Sequence, residues 1–286
     1  MIKLKKLMAL AALIPALALA ANAHSEDAIS VARKASDMAA SAVFPASMVT
    51  SDYVEANAAG EPYLIKCTPQ ANRIILFLHT WSNDYRTIKQ VFPELATLDR
   101  ACVVSPNFNG PNNTPQALGS DDTMDRIDIV LKEVQYKTGL SRVYLTAVSG
   151  GTMAALNYMG KYPGKVHLAS LWLVIDDLAS LYNTTKDQPL KDNMLTVLGA
   201  PPTGPDDPAY LARSPRARLP GIKGPATIIL NVGALDTTSP PVQADMAKAQ
   251  INAVAPDINV SIKSWPIPHE FAAPIRQEAL KQLILE

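Results

Sequence analysis

Apolar residues along the chain gather in short dense runs, and these alternate with segments of helical spacing. The densest run, RIILFLH at 73–79, is apolar from Ile74 to Leu78, as expected of a strand buried on both faces of a parallel sheet. Runs at 143–148, 168–175, 226–232 and 259–265 predict further strands, and shorter ones are read at 63–66 and 102–105. Between them, Met124, Ile127, Leu131 and Val134 recur at three- and four-residue spacing and predict a helix with one buried face. Asp121 and Asp122 suit the positive end of that helix. GGTMAALNYMGKYP predicts a helix ending near Pro163, MAKAQINAV another, 87–98 a third and 276–285 a last one. Residues 106–120, PNFNGPNNTPQALGS, read as a long loop, and 178–222 as a less regular stretch with PPTGPDDP as a turn. Repeated strand–helix units predict an α/β fold: a mostly parallel central sheet, helices on both faces, and ligands taken outside the carboxyl ends of the strands.

The amino terminus breaks this alternation. MIKLKKLM carries three lysines, the residues after it are apolar through Ala18, and Ala21-Asn22-Ala23 offers small residues at both specificity positions of a signal peptidase. The apolar run is too short to span a bilayer comfortably, so residues 1–23 are expected to be an export signal rather than an anchor. Cleavage after Ala23 leaves 24–286, a length suited to one large α/β domain, with a helix-compatible alanine-rich stretch at 26–43. The expected destination is the periplasm or the exterior, without stable membrane insertion.

Charge narrows the function classes. The full chain has 26 basic and 26 acidic side chains; losing the leader lysines leaves 23 against 26. Basic and aromatic residues do not interleave, so nucleic acid is not an expected partner. With two cysteines and four histidines, one of them His24 beside the cleavage point, no metal site is expected, and no cofactor fingerprint stands out. Nothing in the chain speaks to oligomeric state.

TAVSGGTM at 146–153 carries the candidate chemistry. Ser149 falls between a strand and a helix, where a serine is either an ordinary helix cap or a nucleophile held above a sheet. A serine nucleophile needs a base, and the base gains from an oriented carboxylate. Asp236 follows the strand at 226–232 and His269 the strand at 259–265, so each role has a candidate at a strand end. Asp245 and Glu270 compete for the acid role, one from a helical setting and one by mere adjacency to His269. His79 and His167 compete less well as base. VSGGT lacks both the dinucleotide fingerprint and a phosphate-binding lysine.

The order Ser149, Asp236, His269 resembles that of the α/β-hydrolase superfamily, in particular its secreted esterases and prolyl-oligopeptidase-like catalytic domains. AVSGG is similar to the nucleophile elbow, RIILFLHTW to the strand and oxyanion loop, ILNVGALDTTSPPVQA to the acid-bearing strand and turn, and IPHEF to the histidine loop. The likeness covers most of residues 62–286. Ala147 replaces the first glycine of the elbow, and Thr80 replaces the glycine that commonly follows the histidine of the early loop. The resemblance implies a Ser149–Asp236–His269 triad, with the backbone N–H groups of Gly150 and Trp81 as oxyanion donors. It also sets the strand near 63–66 beside the strand holding Cys102, which implies a Cys67–Cys102 disulfide in an exported protein.

The implied reaction is hydrolysis through an acyl-enzyme. His269 takes the Ser149 proton, then protonates the leaving group, and finally activates water. Esters cleave more easily than amides, and the chain length leaves no room for a large gating domain. The expectation is therefore a serine carboxylic-ester hydrolase acting on a small-molecule or polymer-borne ester. The alternatives are a prolyl-oligopeptidase-like serine peptidase and a non-catalytic exported binding protein. The Asn-rich loop either bonds substrate or holds its own turns together, and Trp81, Trp172 and Trp265 either line the pocket or fill the core.

Overall fold

A computed structural model of the chain describes residues 44–111 and 114–284. The expected leader at 1–23, His24 and the helix-compatible stretch at 26–43 lie outside the described residues, as do Asn112, Asn113 and the last two positions.

Strands β1 (Val54–Ala58), β2 (Glu61–Cys67), β3 (Arg73–Leu78), β4 (Ala101–Pro106), β5 (Val143–Val148), β6 (Leu168–Trp172), β7 (Thr227–Gly233) and β8 (Asn259–Trp265) form one sheet in the order β1-β2-β4-β3-β5-β6-β7-β8. β1 and β2 run antiparallel, as do β2 and β4; every other pairing is parallel. The β1–β2 hairpin is an element the sequence reading lacked. Its two-residue turn puts both Ala59 and Gly60 at positive φ, the geometry that matches a hairpin's twist.

Helices cover both faces. They are α1 (Ile88–Val91), α2 (Asp121–Thr138), α3 (Gly150–Lys161), α4 (Leu178–Thr184), α5 (Gln188–Leu198), α6 (Pro208–Leu211), α7 (Val242–Val254) and α8 (Ala273–Gln282). The alternation within β3 shows how two cores arise from one strand. Ile74, Leu76 and Leu78 pack with Met124, Ile127 and Leu131 of α2 and Ala155 of α3, whereas Ile75 and Phe77 pack with Ile88, Phe92 and Ile275.

Three predicted elements differ from those observed. The helix expected over 87–98 is broken into α1 between two 3₁₀ turns, Tyr85–Thr87 and Pro93–Thr97, because Pro93 has no amide hydrogen to continue the ladder. The strand expected over 168–175 stops at Trp172, where Leu173 turns to φ 58°. The stretch read as irregular holds α4, α5 and α6, each opened by an aspartate cap. The Asp177 carboxylate accepts from Ser180 N–H at 2.7 Å, Asp187 from Leu190 N–H at 3.0 Å and Asp207 from Ala209 N–H at 2.9 Å. An aspartate followed within two residues by proline was the missed signal at α5 and α6.

Cys67 and Cys102 stand directly opposite in the β2–β4 register and form a disulfide, as the resemblance implied. It ties the antiparallel edge of the sheet to its parallel part.

Candidate active site

Parallel register brings the carboxyl ends of the central strands to one edge of the sheet. Leu78 pairs with Ala147, Val148 with Trp172, Trp172 with Asn231, and Gly233 with Trp265. Ser149 follows β5 directly, Asp236 lies three residues past β7 and His269 four past β8, so all three emerge at that edge.

Ser149 occupies φ 53°, ψ −123°, a strained conformation for a residue with a side chain. Surrounding bonds hold it there: its N–H donates to the Trp172 carbonyl at 2.8 Å, and the Thr152 hydroxyl donates to the Ser149 carbonyl at 2.6 Å. The hydroxyl makes no cap hydrogen bond to α3. Gly150 and Gly151 let α3 start this close to β3. A methyl on Gly151 would stand 2.2 Å from the Leu78 carbonyl oxygen, and one on Gly150 2.8 Å from both the N and Cβ of Trp81. Ala147, in place of the usual glycine, is wholly buried in β5 and keeps regular strand pairing.

The acid and histidine loops are tied together before their side chains meet. Ala234 N–H donates to the Trp265 carbonyl at 2.7 Å and Leu235 N–H to the Ile267 carbonyl at 3.1 Å. On the Asp236 carboxylate, Oδ1 accepts from Thr238 N–H at 2.9 Å and Ser239 N–H at 2.8 Å, and Oδ2 lies 2.7 Å from His269 Nδ1. An ionised carboxylate only accepts, so Nδ1 carries the proton and Nε2 presents its lone pair. His269 Nε2 lies 3.0 Å from Ser149 Oγ. The Asp236 side chain is fully buried while the His269 ring is 24% exposed. The competing residues stand elsewhere: Asp245, Glu270 and His167 are exposed.

The early loop passes next to Gly150 in spite of Thr80. His79 is buried beneath it, stacked on Phe108 at 4.0 Å, with Nε2 2.8 Å from the Asn107 carbonyl and Nδ1 3.0 Å from that of Thr80. Desolvation lowers its pKa, with the two carbonyls acting in the opposite direction. Gly150 N–H, at the first turn of α3, has no acceptor within the helix, and Trp81 N lies close by. The Trp81 ring packs on Leu118, Met153 and Ile175, and its indole nitrogen has no partner among the described residues.

Ser149 and His269 open into a cavity of about 450 Å³. Trp81, Val91, Val148, Leu173, Pro189, Leu190 and Phe271 supply its apolar wall, and Thr80, Ser82, Gln90, Asp187, Asn193, Thr238 and Arg276 its further polar positions. Of these, only Ser149, His269 and Trp81 were legible as site residues. Trp172 and Trp265 instead donate their indole N–H groups to Ser170 Oγ and Asn231 Oδ1, in a buried network with Gln282. The loop over 106–120 bonds to itself and its surroundings. Asn109 Nδ2 donates to the Gln116 carbonyl at 3.0 Å and to Asp122 at 2.7 Å, and none of its described residues lines the cavity. Among the described residues there is no cluster of metal ligands, and no helix is long and apolar enough to cross a membrane.

No family model and no curated protein matches the sequence. Solved structures do match in fold. The acylaminoacyl peptidase of Pyrococcus horikoshii aligns over 82% of this chain and 40% of its own, at 12% identity and a TM-score of 0.62. A Mycobacterium tuberculosis puromycin-hydrolyzing peptidase aligns over 83% of this chain and 39% of its own, at 15% identity and 0.61. Dipeptidyl peptidase 4 of Porphyromonas gingivalis aligns over 81% and 35%, at 9% identity and 0.62. The chain thus spans about two fifths of the length of these peptidases or somewhat less. With its mostly parallel sheet, its helices on both faces and these likenesses, the chain has the α/β-hydrolase fold, in a form similar to that of these peptidases.

Proposed function

We propose that the protein is a serine hydrolase cleaving acyl bonds in small substrates, with amide bonds of short peptides or aminoacyl amides ranked first. The observation that carries this is His269 standing between Ser149 and Asp236 in hydrogen-bonding range of both. In this reading Ser149 Oγ attacks the carbonyl as His269 Nε2 takes its proton. Asp236, held by two N–H groups, keeps Nδ1 protonated and stabilises the imidazolium. The N–H groups of Gly150 and Trp81 receive the oxyanion. His269 then protonates the leaving group, and water activated by the same ring releases the acyl group.

The peptidase names of the similar structures rank amides above esters, reversing the order expected from sequence. Carboxylic-ester hydrolysis is the second reading, because the same groups act on esters, whose leaving groups need less protonation. Export belongs to the proposal too, supported by the leader-like pattern at 1–23 and the Cys67–Cys102 bond.

A fluorophosphonate probe together with parallel panels of aminoacyl amides and nitrophenyl esters tests the proposal. Rapid labelling of the parent, lost in Ser149→Ala, is expected, with turnover on at least one amide. Turnover of esters alone favours the second reading. A folded parent that stays unlabelled and turns over neither panel favours a binding protein.

A further inference from the structure

We infer that Asp187 makes the cavity selective for substrates whose acyl chain carries a protonated amine. The inference rests on the hydrolase reading of the same site and names its substrate class. Two charged or chargeable groups other than Asp187 line the cavity, and each is already answered. His269 faces Asp236 at 2.7 Å. Arg276 lines the wall, but its Nε donates to both oxygens of Glu94, at 2.9 and 2.8 Å, and its Nη1 to the Phe271 carbonyl at 3.1 Å. Glu94 thereby offsets the guanidinium.

Asp187 differs. It lines the same cavity as Ser149 and His269, and among the described residues no cation forms an ion pair with it. Its oxygens hold only neutral donors: Oδ1 accepts from Leu190 N–H at 3.0 Å and Oδ2 from the Thr238 hydroxyl at 3.3 Å. A carboxylate has about four acceptor positions, so both oxygens keep capacity for a further donor. The Thr238 N–H in turn donates to Asp236 Oδ1, which sets Asp187 one side chain away from the acid-bearing turn. A negative charge there attracts a cation and repels an anion, inside a wall whose other members are apolar or, apart from His269 and Arg276, uncharged.

Capping α5 does not require the charge, because asparagine caps a helix about as well as aspartate, although a negative charge also suits the helix's positive end. Asp187→Asn therefore removes the charge while keeping an oxygen for Leu190 N–H, its amide NH2 donating to the Thr238 hydroxyl in place of the second oxygen. The test measures kcat/KM for nitrophenyl esters of aminohexanoic, heptanoic and adipic acid, which present cationic, neutral and anionic tails of matched length. The parent is expected to prefer the cationic ester over the neutral one by roughly tenfold, equivalent to about 1.4 kcal/mol, with the anionic ester poorest. That ratio is expected to shrink with added salt and to fall to about one in Asp187→Asn. A parent ratio near one, or a ratio that survives in Asp187→Asn, overturns the inference. Should the variant fail to fold, the parent's ratio and its salt dependence still decide. If none of the esters is turned over, fluorophosphonate labelling of Ser149 tells a failed hydrolase reading from an ill-fitting acyl chain. Binding of hexylammonium against hexanol by ligand-observed NMR then decides on Asp187 alone, and equal binding overturns it.

Discussion

A methyl group on Gly151 would meet the Leu78 carbonyl oxygen at 2.2 Å and that of His79 at 2.6 Å. Backbone atoms cannot swing aside as a side chain can, so α3 would have to move away from β3, carrying Ser149 with it. Gly151→Ala is expected to lower unfolding free energy by about 1–3 kcal/mol and to slow fluorophosphonate labelling. Denaturant titration and labelling rates check both; parent-like values in each would show that the helix entry has slack.

Asp236→Asn tests orientation separately from presence. The amide can donate to His269 Nδ1, which turns the lone pair towards Asp236 and leaves Nε2 protonated and unable to take the Ser149 proton. Turnover is expected to fall by a factor on the order of 10³–10⁴ in kcat, with KM little changed. Steady-state kinetics on the best substrate checks this, and a loss under tenfold would remove Asp236 from the mechanism.

Asp176 sets a pH dependence of stability. Burial pushes its carboxyl up to about 7, neighbouring Asp177 adds to the rise, and Arg216 and a 3.2 Å bond from Gln250 Nε2 oppose it. Its Oδ1 has no partner among the described residues, and nor do Gln250 Oε1 and Gln243 Nε2. Folded protein keeps this proton up to about pH 7 whereas the unfolded chain loses it near the usual value of 3.8. Stability from this group is therefore present at low pH and declines as pH rises between those values, by at most about 4 kcal/mol. Asp176→Asn is expected to remove that decline and to be more stable than the parent at pH 8. Urea unfolding at pH 5 and pH 8 on both proteins measures it, and a variant that declines like the parent would exclude Asp176 as the source.

The disulfide closes a loop across a sequence separation of 35 residues. In the chain-entropy picture such a loop stabilises by about 4 kcal/mol, an idealised upper figure. Reduction, or paired Cys67→Ala and Cys102→Ala changes, is expected to lower the unfolding midpoint and leave labelling of Ser149 intact, because the bond lies at the β2–β4 pairing. A reduced protein with an unchanged midpoint would count against any stabilising role.

Local patterns determined much of this protein. Strand runs such as 73–79 and 259–265 are legible because a buried strand needs contiguous apolar residues. The helix from Gly150 is legible because its composition is helical over a dozen positions. The order of Ser149, Asp236 and His269 at strand ends was legible for the same reason: each lies just past a strand that local sequence announces. Where a single residue overrode the local pattern, as Pro93 does inside 87–98, the reading went too far.

Only the tertiary structure decided which distant segments meet. His269 lies 33 residues from Asp236 and 120 from Ser149, and their convergence depends on β5, β7 and β8 sharing one edge of a sheet. The Cys67–Cys102 pairing depends on β4 crossing to lie between β2 and β3. Asp187 carries no local mark beyond that of a helix cap; its position on the cavity wall follows from how the start of α5 packs beside Thr238. Propensity and periodicity act within a few turns of chain. Strand order and the shape of a cavity come from burial shared between segments far apart in sequence, and no local pattern encodes that.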